Sequence, residues 1–265
     1  MKKIAGLLAL FALAFAELAL ASAAVTYITG SVTAQAGTAP PRVVRIGDRV
    51  NQGDTLVTGP ASSAVMKFED GQVAALGANS RLQITTYRYD RATQRGNSLL
   101  SLVSGAMRSI TGAIARNNPQ NVAVRAATAT IGIRGTDFTI VTMAGMIFVE
   151  VNGGVIDFTF NGQTITVDTG RAVLTLPNGT VSQGTINQIY AQLQGTPTGR
   201  EIIAALGGLT ALSNEINSIF PGTPTQGEGG PSDTSPGTGT GSGVGTPTGP
   251  SGIGGGGGGR PASPN

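Results

Sequence analysis

The chain has 265 residues and a formal net charge of +3, with no cysteine, no histidine and no tryptophan. Those absences exclude a disulfide framework, a Ser-His-Asp triad, a Cys-His pair and a zinc site built on His or Cys. Lys2, Lys3 and Lys67 are its only lysines, so the basic balance reflects scattered arginines set against few carboxylates. Nucleic acid is not expected as a partner, and no cofactor or metal is expected.

Residues 1–23 have the layout of a secretory signal: basic Lys2-Lys3, an apolar run from Ile4 to Leu20 broken by Glu17, then Ala21-Ser22-Ala23. The rival reading is a retained anchor, since the run approaches the ~20 residues that span a bilayer. Glu17 and the Ala-x-Ala favour cleavage and export, to the periplasm or the cell surface.

Residues 24–176 read as short alternating strands between glycine-containing turns. Strands are predicted at Val25–Val32, Ala64–Phe68, Leu82–Tyr87, Leu99–Val103, Val122–Ala126, Phe138–Thr142, Ile147–Val151, Ile156–Phe160 and Thr164–Val167. Asp70-Gly71, Asn152-Gly153-Gly154 and Asn161-Gly162 suit tight turns that need positive φ. The fold class is therefore all-β. An echo, Ile46-Gly47-Asp48-Arg49-Val50 against Gln52-Gly53-Asp54-Thr55-Leu56, fits either stacked solenoid coils or a two-layer sandwich, with the solenoid preferred.

Residues 177–220 change period. Ile186, Ile189, Tyr190 and Leu193, then Ile202, Leu206, Leu209, Leu212, Ile216 and Ile219, recur at three- and four-residue spacing. Two amphipathic helices capping the β domain are predicted. Residues 221–265 are almost wholly Gly, Pro, Ser and Thr, the composition of a disordered tail or spacer.

Few residues offer chemistry. Lys67 sits mid-strand and reads as a solvated sheet position. Glu69-Asp70 and Glu150 are the acids a carboxylate-dependent glycan hydrolase would have to pair, but Glu69-Asp70 also suits a turn. Asp48 and Asp54 offer oxygens to calcium, with turn formation the simpler reading. Arg88, Tyr89, Arg91 and Arg95 interleave cations and an aromatic ring on a predicted hairpin, a candidate partner contact. Arg134, between Gly132 and Gly135, either fixes a corner by bridging carbonyls or pairing with Asp137, or faces outward to a carboxylate or phosphate.

The order of these pieces resembles the FecR-type domain. Gly53-Asp54-Thr55-Leu56-Val57-Thr58-Gly59 leads into Ala64–Phe68 and then Glu69-Asp70-Gly71-Gln72. Leu99 to Gly105 follows, then an alternating strand ending in Arg134-Gly135-Thr136-Asp137-Phe138, and Gly170 in a closing turn. The resemblance spans roughly residues 25–176. It implies a β-rich exported module without catalytic residues, related to periplasmic sensing regions that relay iron-siderophore signals to a sigma factor. Only Met1, Lys2 and Lys3 precede the apolar run, so a stand-alone member without a cytoplasmic anti-sigma segment is expected. The expected function is non-catalytic binding of an envelope protein or a surface glycan, with a structural surface protein carrying a spacer tail as the alternative.

Overall fold

The computed structural model describes residues 22–219. The predicted signal segment, except for its last two residues, and the predicted tail lie outside the described residues. Fifteen strands hydrogen-bond into one sheet. In chain order they are β1 (Ser22–Thr29), β2 (Val32–Ala36), β3 (Arg42–Val43), β4 (Arg49–Asn51), β5 (Asp54–Thr58), β6 (Ser63–Phe68), β7 (Val73–Leu76) and β8 (Arg81–Asp90). They continue as β9 (Arg95–Ile110), β10 (Val122–Ala126), β11 (Ala129–Met143), β12 (Met146–Phe160), β13 (Gln163–Asp168), β14 (Arg171–Thr175) and β15 (Val181–Thr185). A short helix α1 (Ala113–Asn117) follows β9, and α2 (Ile186–Gln194), α3 (Pro197–Thr210) and α4 (Ser213–Ile219) close the described chain.

Three long strands make this one sheet into two layers. The first half of β9 pairs with β8 and its second half with β7, the change falling at Ser104 to Gly105. β11 and β12 pair with each other on both sides of a double irregularity at Arg134 to Asp137. One layer, A, runs β3-β2-β5-β8-β9-β10-β11-β12-β13, using the early half of β9 and β11 and the late half of β12. The other, B, runs β4-β1-β6-β7-β9-β11-β12-β14-β15 through the opposite halves. Strand β10 enters layer A as a wedge, parallel to β9 and antiparallel to β11, after α1 has returned the chain from layer B.

Alternation along each strand fills the space between the layers. Leu56, Leu82, Leu100, Ile131 and Phe158 from layer A meet Met66, Leu76, Met107, Phe138 and Val149 from layer B in one buried cluster. The rings of Phe68 and Tyr87 touch across it with centroids 4.9 Å apart. Stacked solenoid coils would pair their strands in parallel, whereas every pairing here except β9 with β10 is antiparallel. Of the two architectures open from the sequence, the pairing is that of two layers.

The residues of opposite parity on layer B form a second cluster. Val65, Ala75, Ala106, Val141, Phe148 and Leu174 face outward and are covered by Ile189, Leu193, Ile202, Leu206, Leu209 and Ile216 of the helices. Burial of such side chains contributes about 1.5–3 kcal/mol each, which holds helices this short in place. Thr185 caps α2 through a capping box with Gln188. The second predicted helix is divided at Ala211-Leu212 into α3 and α4.

One local expectation is corrected and two are met. Asn152-Gly153-Gly154 forms no hairpin turn: β12 runs through it, bending from layer B to layer A. The predicted break between Thr142 and Ile147 is the real turn, at Ala144-Gly145. The Asn161-Gly162 turn is found, both residues having positive φ, as a type I′ turn requires.

The bends depend on glycine. At Gly105, φ is +90°, and a Cβ would run into the backbone and side chain of Ser80, whose hydroxyl donates to the carbonyl of Ala106 at 3.1 Å and accepts its amide at 2.9 Å. At Gly154, φ is +81° and a Cβ would lie 2.5 Å from the carbonyl oxygen of Gly135. Gly105→Ala is expected to lower stability by roughly 1–3 kcal/mol from φ strain alone, before the displacement of Ser80 is counted. Thermal unfolding followed by circular dichroism checks this. An unchanged midpoint would show that the bend tolerates a side chain.

Candidate functional site

The FecR-like signature positions fall at corners and in the core. Gly53 turns the chain between β4 and β5, and buried Asp54 accepts the amide of Asn51 at 3.0 Å and faces Arg42 at 3.4 Å. Asp48 similarly accepts the amide of Arg45 at 2.9 Å. Both therefore serve as turn formers. Among the described residues no group of three or more metal-binding side chains assembles. Gly59 donates its amide to Ser31 and accepts that of Asn79. Gly71 and Gly170 take positive φ in the turns after β6 and β13. Thr136 and Phe138 are buried, Phe138 in the inter-layer core.

Asp70 lies at the centre of a buried polar knot. Its carboxylate accepts the Tyr87 hydroxyl at 3.0 Å, the amide of Gln72 at 3.1 Å and the amide of Ile114 at 3.3 Å. The Gln72 side chain then joins Ser98 at 3.1 Å and Ser109 at 3.3 Å. Burial, and then the neighbouring Asp70 charge, push the Tyr87 phenol well above its ordinary range, so Tyr87 stays a donor. The knot ties β6, β7, β8, β9 and α1 together. Glu69, beside it in sequence, points away and meets Arg49 at 3.3 Å and Arg91 at 3.5 Å.

Arg134 answers the question its two glycines raise. It sits on the outer face of layer A and forks Asp157, with bonds of 3.1 and 2.7 Å from Nε and Nη2 to one oxygen. Thr166 donates to the other oxygen at 3.0 Å. The expected partner Asp137 is engaged instead by Arg108, at 2.9 and 2.6 Å, because the bulge at Gly135 turns Asp137 onto the outer face of layer B. Arg134 thus links β11 to β12 from an exposed position, and no buried carbonyl is bridged.

The pair Arg108–Asp137, which spacing did not reveal, belongs to a cluster at the margin of the helical cover. Asn152 donates to Thr139 at 3.2 Å and reaches Asp137, while Glu150 lies opposite Thr139 in the ladder. The Tyr190 hydroxyl of α2 donates to Glu150 at 2.9 Å, and its ring lies 5.8 Å from Phe148. Burial raises the Glu150 carboxyl above its ordinary value, against the hydrogen bonds of Tyr190 and Thr139 and the charge of Arg108. Of the acids named for the hydrolase reading, Glu150 lies on a strand and not on a turn, and it shares a sheet face with Asp137. Both oxygens of Asp137 are taken by Arg108, and Glu150 is held by a helix packed over it. The arrangement fastens α2 to the sheet. Lys67 lies exposed on this same face, mid-strand in β6.

The arginine hairpin connects β8 and β9, and its four residues divide. Arg88 and Arg95 stand on the outer face of layer A, with Asn97 and Asp90, around a shallow depression. Asp90 accepts the amides of Ala92 at 2.9 Å and Thr93 at 3.3 Å, shaping the tip. Tyr89 packs inward against the core, and Arg91 leans to Glu69 on the other side. The structure therefore brings Arg88 and Arg95 together at a depression that Tyr89, packed partly against the core, also lines.

Beyond the hairpin extends the rest of layer A's outer face, which no described helix covers. One rank across it reads Thr55, Gln83, Ser101, Arg125, Thr130, Thr159 and Thr164, each on a successive strand. Thr85 and Ser101 share a hydrogen bond of 2.8 Å, and Thr159 and Thr164 one of 2.9 Å. Sequence periodicity signals these outward positions but not that they form one face, because the strand order is not the chain order.

Residues 54–157 match the family model described as FecR protein, and this chain carries a FecR domain there. No curated protein matches the chain. Two crystal structures of a candidate anti-sigma factor from Parabacteroides distasonis are similar to it. One shares 15% identity over 49% of this chain with a TM-score of 0.43, and this chain covers 59% of its length. The other shares 14% identity over 63% of this chain and 74% of that one, with a TM-score of 0.43. Among the described residues no helix is long and apolar enough to cross a membrane.

Two outcomes follow from this geometry. Because the folded state raises the Glu150 carboxyl, its contribution to stability is fullest below the ordinary glutamate value of 4.5 and is lost as pH rises through the folded value. Glu150→Gln is therefore expected to melt higher than wild type at pH 7, with the two converging near pH 4. Arg134→Ala is expected to cost no more than about 1 kcal/mol in chemical denaturation, since the pair is surface-exposed.

Proposed function

We propose that the FecR domain of this chain is a non-catalytic, signalling-related interaction module, exported from the cell, that binds an envelope protein through the outer face of layer A. The observation that carries this reading is the asymmetry of the two outer faces. Among the described residues, layer B is covered by α2, α3 and α4, whereas no helix covers layer A. Residues 54–157 supply β5 to β11 and most of β12, and so the middle strands of both layers, layer A's among them.

A protein is favoured over a glycan as partner. Sugar and small-ligand sites rely on aromatic walls. Here Tyr87, Tyr89, Phe158 and Phe160 all turn into or against the inter-layer core. What the face offers is hydroxyls, amides and arginines on a flat, hydrogen-bonded scaffold, with Val103 53% exposed. That mixture suits a polar protein interface. The signal segment read from residues 1–23 supports export, and its cleavage would release the module from the membrane.

A steric block tests the reading. Ser101→Trp puts a large side chain mid-face on layer A, and Glu201→Trp does the same on the helical side. Full-length protein is used as bait in envelope extract, with circular dichroism confirming that each variant folds. The expected result is a captured protein lost with Ser101→Trp and retained with Glu201→Trp. Retention with both, or loss with both, would remove layer A as the contact face.

A further inference from the structure

The strands β5, β8, β9 and β10 form the middle of layer A, and their outward side chains include Arg81, Arg88 and Arg125. Among the described residues, no carboxylate lies within ion-pairing distance of any of the three. All three are exposed. The acids of this face stand at its margins: Asp90 at the hairpin tip, Asp157 already neutralised by Arg134, and Asp168 on the edge strand β13.

We infer that the partner taken by this face is an acidic protein segment, whose carboxylates meet Arg81, Arg88 and Arg125 around an apolar contact at Leu99 and Val103. This rests on layer A being the contact face. Ladder geometry gives the spacing. Arg125 is two strands from Arg81 and from Arg88, which places their Cα atoms about 12 and about 16 Å apart. Leu99 lies between, opposite Thr86 on one side and Ala123 on the other.

Two features select this partner chemistry. An apolar patch ringed by arginine, with no lysine on the face, is the composition of a protein contact, where Arg is enriched and Lys depleted. Guanidinium groups also pair with carboxylates in a planar fork, and each has no internal carboxylate to give up first.

The probe is poly-L-glutamate, titrated into the full chain and followed by calorimetry at low and moderate salt. Poly-L-glutamate is expected to bind, more weakly as salt rises. The triple variant Arg81→Ala/Arg88→Ala/Arg125→Ala should lose about tenfold in affinity, the effect of interactions totalling about 1.4 kcal/mol. A control triple at Arg45, Arg171 and Arg200, away from this patch, should change affinity less than about twofold. Equal loss in both triples, or no binding by wild type, would overturn the inference. So would tighter binding of duplex DNA or heparin than of poly-L-glutamate, which would assign the patch to another polyanion. If Ser101→Trp still abolishes envelope capture while poly-L-glutamate fails, layer A remains the contact face and only the acidic partner is lost.

Discussion

Everything in this molecule hangs on three strands being longer than one layer is wide. β9, β11 and β12 each start in one layer and finish in the other, so the ladder hydrogen bonds never stop at the fold between them. A sandwich whose layers are joined only by loops can slide or splay. One whose layers share three strands cannot do so without breaking backbone pairs. For a chain with no cysteine, this continuity takes the place of covalent ties. The cost falls on a few backbone positions, where Gly105 and Gly154 accept conformations and close approaches that a side chain would not.

The polar interior reinforces the same joint. Asp70 and Tyr87 link the turn after β6 to β8, and Gln72 carries the network on to two serines of β9. A buried carboxylate with several donors is well satisfied and favours one register over its neighbours. Arg108 and Asp137, just past the β11 bulge, work similarly on the outer side of layer B. There the helices add their apolar stripe, and Tyr190 sets its position over Glu150. The two outer faces thereby acquire different fates. One becomes a second core, and the other is covered by no described helix.

The FecR-like signature positions fall at corners, at a bulge and in the core, where they shape the fold. From sequence, Arg134 has two readings, a corner brace or an outward anion contact. Gly135 makes the bulge, Thr136 is buried, and Arg134 ties two strands. The hairpin arginines looked like a unit because they are adjacent in sequence. Strand alternation sends Tyr89 inward, while Arg91 is drawn to Glu69. The residues that share the open face, such as Arg81, Arg88 and Arg125, lie up to 44 positions apart in sequence, on strands brought side by side only by pairing.

Alternation, turn residues and the shift to helical spacing after residue 185 were enough to determine from sequence alone that this is a mostly β chain with helices at its C-terminal side. Each is a local property, set within a few residues by side-chain period and allowed φ. The missing histidine and cysteine bounded the chemistry in the same direct way. What only the tertiary structure decided was which strands are neighbours, that Asn152-Gly153-Gly154 bends a strand in place of ending it, and which partner each charge finds. Those outcomes depend on pairing between distant segments. A local pattern cannot encode whether a glycine closes a turn or carries a strand across a corner, because both use the same positive φ.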